Sequence, residues 1–232
     1  MRHRLPALLI AGLAAAAAHA EPDLENGRAI AMGGGPGGPQ TACFTCHGAE
    51  GEGDRAAAFP RLAGQSGFYL YKQLQDYAYG HRPNEVMTPI ARELSDSDME
   101  DVAAYYAALT DVPYGEPGEA DPELLQRGGQ LSAIGSREQG IQACVNCHGP
   151  GGAGMAPSFP YLAGQHANYT ELTLHQWKNR LRRNDPLGVM EEIVRRMSDE
   201  DIRAVALYFE QVRPGNAHPQ PIIRNGLGEH ER

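Results

Sequence analysis

All four cysteines of the chain lie in two copies of the pattern Cys-x-x-Cys-His. At this spacing the two thiols lie on one turn of a short helix, where they can form thioethers to the vinyl groups along one edge of a haem. The histidine that follows can then bind the iron. A redox disulfide or half of a zinc site is the alternative for any single Cys-x-x-Cys, although the two pairs here lie far apart in the sequence. The pattern predicts two covalently bound haem c groups per chain, with anchors Cys43, Cys46, Cys144 and Cys147 and iron ligands His47 and His148.

Two methionines occupy equivalent places downstream of the two motifs. Met87 follows His47 by 40 residues, and Met190 follows His148 by 42. An iron bound by one histidine has an open sixth position, and a soft thioether that fills it favours ferrous iron and raises the potential. Core packing is the alternative for any methionine. Because these two are paired between the halves, we predict that Met87 and Met190 are the distal axial ligands.

The remaining methionines and histidines lack such pairing. Met99 aligns with Ile202 and Met197 with Leu94, so both are predicted to pack in the core. The histidines without a partner in the other half are predicted to be solvated or locally hydrogen bonded: His81, His166, His175, His218 and His230.

The chain contains a tandem repeat. Residues 59–65 and 159–165 are identical at six of seven positions. Helical spacing of apolar residues recurs in both halves and no strand pattern is present, which predicts an all-α protein. The predicted organisation is a signal peptide (1–20), domain 1 (21–110), an acidic Pro-containing linker (111–121), domain 2 (122–213) and an irregular tail (214–232).

Each half is predicted to contain the same helices in the same order. Capping boxes at Ser95 and Ser198 mark the start of each final helix, and the methionines are expected in loops just before them. The linker is expected to be extended and solvated. The other predicted helices are 25–32 and 122–133 at the opening of each half, and 69–79 and 169–181 in the middle.

The first twenty residues have the features of an export signal. Arg2 and Arg4 precede an apolar run over 5–18, and a small-x-small sequence ends at Ala20. A retained membrane anchor is the alternative, but the run is shorter than the ~20 residues that a spanning helix needs. We therefore predict cleavage after Ala20, a periplasmic location and at most peripheral association with a membrane.

The chain is acidic, with a formal net charge of −9, which argues against a nucleic-acid partner. Residues 21–109 carry 13 acidic and 6 basic residues, so the first half has a net charge of −7. The second half is close to neutral and carries a basic cluster over 178–183. This asymmetry favours two docking faces for two partners; the alternative is that the basic cluster is simply a solvated helix face.

Taken together, these residues resemble the class I cytochrome c fold, present twice, as in dihaem cytochromes of the c4 type. The resemblance rests on Cys43-x-x-Cys46-His47-Gly48, Pro60-x-Leu62-Ala63-Gly64-Gln65, Met87 and Leu94-Ser95-Asp96 leading into Ala103-x-Tyr105, with the same order in the second half. It implies that the carbonyl groups of Pro60 and Pro160 face the axial histidines, and that the two haems lie near the domain interface.

The function that follows is electron transfer without a small-molecule substrate. The expected partners are redox proteins: a respiratory donor and a terminal oxidase or reductase. One alternative is a cytochrome subunit of a dehydrogenase complex. Another is a dihaem peroxidase, which would require one open iron and is disfavoured by the paired methionines.

Overall fold

The computed structural model describes residues 21–185 and 187–213. The predicted signal peptide, the predicted tail, His218 and His230 lie outside the described residues. Within these ranges the chain forms α-helices, short 3₁₀ turns and three isolated β-bridges, but no sheet. The helices are α1 (Leu24–Gly33), α2 (Phe44–His47), α3 (Gly67–Tyr79), α4 (Met87–Arg92), α5 (Asp96–Ala108), α6 (Pro122–Ala133), α7 (Val145–His148), α8 (Ala167–Lys178), α9 (Val189–Arg195) and α10 (Asp199–Gln211).

The helices pack in two groups, which we call the first domain (α1–α5) and the second domain (α6–α10). In each domain the opening helix crosses the final helix, and the middle helix packs on the same final helix. Each domain has its own apolar core. The first core includes Ile30, Val102 and Tyr106, and the second includes Leu131, Ile202 and Phe209. The prediction of an all-α protein with two helical domains is confirmed.

The predicted capping boxes are present at both final helices. Ser95 Oγ accepts the N–H of Asp98, and Ser198 Oγ accepts the N–H of Asp201. The Asp98 and Asp201 carboxylates accept the N–H groups of Ser95 and Ser198 in return. These reciprocal bonds satisfy donors that the first helical turn leaves free, and they set where α5 and α10 begin.

One predicted helix end and the predicted loops at the two methionines were wrong. Helix α8 ends at Lys178 instead of 181, because Arg180 adopts a left-handed φ of 58° that ends the helix. The methionines begin short helices and do not lie in open loops: Met87 is the first residue of α4 and Met190 the second of α9. In the first domain, Asn84 Oδ1 accepts the N–H of Met87 at 2.8 Å and so stabilises this turn.

The linker is extended, but the expectation that it is solvated was wrong in part. The Arg61 guanidinium donates to the carbonyl oxygens of Val112 and Pro113 at 2.6 and 2.9 Å and stacks on the Tyr114 ring. Further along, Ala120 packs against a small apolar cluster of the second domain. The linker therefore contacts both domains.

The two domains meet through contacts that repeat about an approximate twofold axis. Gln65 Nε2 donates to Tyr161 O, and Gln165 Nε2 donates to Arg61 O. Beside them, Arg82 donates to the Tyr169 hydroxyl at 3.0 Å, and Arg182 donates to the Tyr69 hydroxyl at 3.2 Å. Equivalent residues of the sequence repeat thus face each other across one interface.

Candidate haem sites

Each Cys-x-x-Cys-His motif forms a single helical turn, as its spacing predicts. The N–H of His47 donates to Cys43 O at 2.9 Å, and the N–H of His148 donates to Cys144 O at 2.8 Å. This turn places both cysteines of a motif on one side of a short helix with the histidine at its end. None of the four thiols is joined in a disulfide, so all four are available for thioether bonds.

Each motif histidine is buried and held through one ring nitrogen. His47 Nδ1 lies 3.0 Å from Pro60 O, and His148 Nδ1 lies 2.9 Å from Pro160 O. Because a carbonyl oxygen can only accept, Nδ1 carries the proton and Nε2 keeps its lone pair. Burial lowers the pKa of both imidazoles, opposed by the proline carbonyl groups. The result is two neutral, oriented imidazoles, the form that binds a metal ion.

The two methionines differ in what surrounds them. Met190 packs against the core cluster of the second domain, which Cys144 also borders. Cys43 borders the equivalent cluster of the first domain. Met87 is half-buried at the start of α4, which packs on α3. The structure therefore brings Met190 and Cys144 to one apolar core, the kind of environment that a haem shares.

Met99 and Met197 have the packing role predicted for them. Met99 and Met197 are exposed by only 2% and 6% and lie within the two cores. Of the unpaired histidines in the described ranges, His81 and His175 lie near carboxylates of their own domain, Asp76 and Glu171. His166 instead contacts the other domain, because its Nε2 lies 2.9 Å from Glu52 O.

Two arginines of the domain interface and a tryptophan of the second core carry buried donors without a partner. Arg82 Nε, Arg182 Nη1 and Trp177 Nε1 are inaccessible to solvent and have no hydrogen-bond partner among the described residues. An unpaired buried donor costs about 1–3 kcal/mol, so such a group calls for an acceptor.

Desolvation would raise the pKa of Tyr169, but Arg82 and Arg182 outweigh it and lower that pKa to about 8.

These donors fit the chemistry of a haem. Haem carries two propionate carboxylates, and the paired thiols and neutral imidazoles supply the other bonds that a haem c needs. Sequence reasoning did not single out Arg82 or Trp177, and it assigned Arg182 to the basic cluster and not to a haem site. The repeat could have identified them, because Arg82 matches Arg182 and Tyr77 matches Trp177 at the same offset of 100 residues. In both domains the guanidinium stacks on that aromatic ring, at 4.8 and 3.8 Å.

The basic cluster over 178–183 is partly paired within the chain. Lys178 pairs with Asp199 at 2.7 Å, and Arg180 pairs with Glu191 at 3.0 Å. Arg182 is only 2% exposed and lies in the domain interface. Three of the four cations are thus paired or buried within the chain, and the choice between a docking face and a solvated helix face stays a prediction.

Comparison with known proteins agrees with the two-domain arrangement. A family model described as cytochrome c matches residues 24–110 and 137–213. A thiosulfate dehydrogenase electron acceptor of Stutzerimonas stutzeri (strain A1501) is 42% identical over 203 residues, covering 88% of this chain and 94% of that protein. Cytochrome c4 of Thiocapsa roseopersicina is 45% identical over 170 residues, covering 72% and 85%.

A solved structure has the same fold over both domains. Reduced recombinant cytochrome c4 from Pseudomonas stutzeri superposes with a TM-score of 0.71 at 36% identity, covering 83% of this chain and all of that chain. None of the helices in the described ranges is long and apolar enough to cross a membrane. The chain belongs to the cytochrome c family, and it is a dihaem electron carrier of the cytochrome c4 type with two covalently bound haem c groups.

Proposed function

We propose that this chain is exported, cleaved after Ala20, and carries electrons in the periplasm from a respiratory donor to a terminal oxidase or reductase. The observation that supports this proposal best is the repeated pairing of a buried motif histidine with a proline carbonyl, at 3.0 and 2.9 Å. One haem could serve a sensor or an enzyme, whereas two equivalent sites in two domains that contact each other suit the passage of electrons through the molecule.

The haem groups supply the one-electron chemistry, and the chain's residues hold and tune them. In this proposal Cys43, Cys46, Cys144 and Cys147 are the covalent anchors, and His47, His148, Met87 and Met190 are the axial ligands. Pro60 O and Pro160 O accept the Nδ1 protons, which fixes each ring and makes Nε2 a stronger donor to iron. The thioethers of the methionines close the remaining positions and favour the ferrous state.

We propose a dehydrogenase as the donor to test first. The name of the Stutzerimonas relative describes an acceptor of electrons from thiosulfate dehydrogenase. The same name also suits the alternative that the chain is a cytochrome subunit bound to its dehydrogenase. Co-purification separates these possibilities: a diffusing carrier elutes alone from gel filtration of a periplasmic extract, and a subunit elutes together with the dehydrogenase.

Replacing each distal ligand tests the assignment directly. Met87→His and Met190→His should each lower one of the two reduction potentials, since histidine lacks the thioether's preference for ferrous iron; axial ligands set haem potentials over a range of roughly 0.8 V. Each variant should also lose half of the far-red methionine-to-iron absorption of the ferric protein. An optical redox titration of the holoprotein measures both quantities.

The chain contains matched controls for this experiment. Met99→Leu and Met197→Leu alter methionines that are buried in the two cores, so both potentials and the far-red band should stay as in the wild type. If Met87→His or Met190→His leaves both potentials unchanged, that methionine is not a ligand. A wild-type protein with a high-spin haem that reacts with peroxide would contradict the carrier assignment altogether.

A further inference from the structure

Residues 182–185 of the second domain match residues 82–85 of the first at an offset of 100, with Arg182 opposite Arg82 and Asn184 opposite Asn84. The offset between the halves is 100 residues at the Phe-Pro sequence and 103 at the methionines, so three residues have been inserted between these landmarks. Within this segment Asn184 is only 7% exposed. Asn184 thus lies just before the inserted residues, and its burial indicates a packing role that a residue of a solvated loop lacks.

Asn184 makes its contacts with the other domain, on one face of α3. Its Nδ2 donates to Gln73 Oε1 at 2.8 Å and to Asp76 Oδ2 at 2.7 Å. Its carbonyl oxygen accepts from Lys72 Nζ at 2.9 Å. Its Oδ1 accepts from Arg182 Nε at 2.7 Å. Both polar ends of the side chain and the main-chain carbonyl are therefore satisfied by buried or half-buried partners.

The next residue connects this contact to Met190. Asp185 Oδ2 accepts the N–H of Met190 at 2.5 Å, and Asp185 O accepts the N–H of Gly188 at 3.0 Å. The start of α9 is thus held by a residue whose immediate neighbour is hydrogen bonded to the first domain. A shift of Asn184 would move Asp185 and, through it, the main chain at Met190.

The first domain has no such arrangement at Met87. There Asn84 Oδ1 accepts the N–H groups of Val86 and Met87 at 2.9 and 2.8 Å. The N–H of Asn84 itself donates to Thr88 Oγ1 at 3.0 Å. All of these bonds are local to one turn, and the cross-domain bonds of this segment lie further from Met87, at His81 O and at the Arg82 side chain.

We propose that Asn184 is a positioning residue through which the first domain holds the Met190 turn, so that ligation of the second haem depends on domain docking. This inference rests on the proposed role of Met190 as an iron ligand. Ligation by Met87 does not depend on Asn184. It follows that a partner protein which breaks the Asn184 contacts weakens the second iron–sulfur bond and leaves the first intact.

The test is the variant Asn184→Ala in the ferric holoprotein, titrated with imidazole. Loss of the contacts to Gln73 and Asp76 should raise the affinity of the second haem for imidazole about tenfold, because methionine competes less well when its turn is loosened; tenfold corresponds to ~1.4 kcal/mol, the size of one or two hydrogen bonds. The affinity of the first haem should not change. Proton NMR of the axial methionine methyl groups separates the haems, with Met190→His as the assignment standard.

Asn168→Ala is the matched control. Asn168 Nδ2 donates across the same interface to Arg55 O at 2.9 Å, but its contact does not involve the Met190 turn. This variant should bind imidazole as the wild type does. Asn184→Ser is a second variant with a smaller change. Hydrogen exchange at the N–H groups of residues 188–192, compared with residues 87–92, is a second measurement that does not use the haem.

The outcomes are distinct. Faster exchange at 188–192 and tighter imidazole binding at the second haem alone support the proposal. Unchanged binding in both Asn184 variants overturns it, and so does an equal change at both haems, which would indicate general loosening. If the wild type lacks two methionine-ligated haems, the ligand assignment of the proposed function is wrong. Ligation in the wild type is therefore measured before any variant is made.

Discussion

At the scale of single residues, the amide side chains of Gln65 and Gln165 have the most specific task in the interface. Gln65 Oε1 accepts the N–H of Tyr161 at 2.9 Å while Nε2 donates to Tyr161 O at 2.9 Å. A carboxamide matches a peptide group in this way because it has one acceptor and one donor side. An ionised glutamate has the same length but can only accept hydrogen bonds. This contact with the Tyr161 peptide group therefore requires glutamine.

Gln65→Glu should therefore destabilise the docked protein. A carboxylate keeps the acceptor but places a second oxygen against Tyr161 O, and a buried group left without its donor costs about 1–3 kcal/mol. Urea denaturation of the holoprotein followed by circular dichroism measures the loss. Gln130→Glu, at an exposed position of α6, should change stability by less than about 0.5 kcal/mol. Equal effects of the two substitutions would mean that charge alone, and not the lost donor, is responsible.

At the scale of elements, the sequence predicted what local chemistry determines. The capping boxes fixed the starts of α5 and α10, and Pro122 fixed the start of α6. It did not predict that α8 ends at Lys178, because the end depends on a left-handed Arg180. It also missed the helical turns at Met87 and Met190, which are too short for periodicity and depend on side-chain acceptors upstream.

The crossing of α1 and α5 depends on a glycine. A Cβ added at Gly27 would lie 2.2 Å from Asp101 O and 2.9 Å from Tyr105 Cβ, so one helix would have to move. Gly27→Ala should reduce the free energy of unfolding by about 1–3 kcal/mol, a typical cost of overpacking. The same measurement on Gly128→Ala should give a similar loss, since its Cβ would lie 2.2 Å from Ala204 O.

Gly33, in the same helix, provides the control for Gly27. A Cβ there would meet nothing within 4 Å, and its backbone φ is not in the left-handed region. Gly33→Ala should therefore leave stability unchanged or raise it by up to ~1 kcal/mol, because alanine loses less backbone entropy on folding into a helix. If Gly33→Ala is as damaging as Gly27→Ala, then loss of flexibility, not the crowding of α5, explains both.

At the scale of the whole molecule, the domains are joined by more than the linker that connects them in sequence. Glu210 on α10 accepts from Arg55 of the first domain at 2.8 Å, from the N–H of Gly118 in the linker at 3.2 Å and from the N–H of Ala167 at 3.0 Å. Composition could not reveal this, because Pro and acidic residues in the linker are equally typical of a flexible spacer. The contacts that restrain the linker come from residues distant in sequence.

Glu210 should make the stability of the docked protein dependent on pH. Burial would raise its pKa, but the N–H of Ala167, the Arg55 guanidinium and the N–H of Gly118 outweigh burial and hold the pKa below its usual range. A carboxyl with a depressed native pKa contributes stability above its ordinary pKa of about 4.3, and this contribution is lost as the pH falls through the lower native pKa. Glu210→Gln should thus cost about 1–3 kcal/mol at pH ~7, with the share of half-exposed Arg55 reduced by water.

The difference between wild type and Glu210→Gln should stay constant above about pH 5 and shrink below about pH 4. Urea denaturation of both holoproteins at a series of pH values measures it, and protonation of other groups cancels in the comparison. Glu119→Gln, at an exposed linker position, is the control and should change stability by less than about 0.5 kcal/mol. A Glu210→Gln effect that is the same at every pH would show that Glu210 acts through its shape and not through its charge, and the charged contacts among Arg55, the linker and α10 would then contribute nothing to holding the domains together.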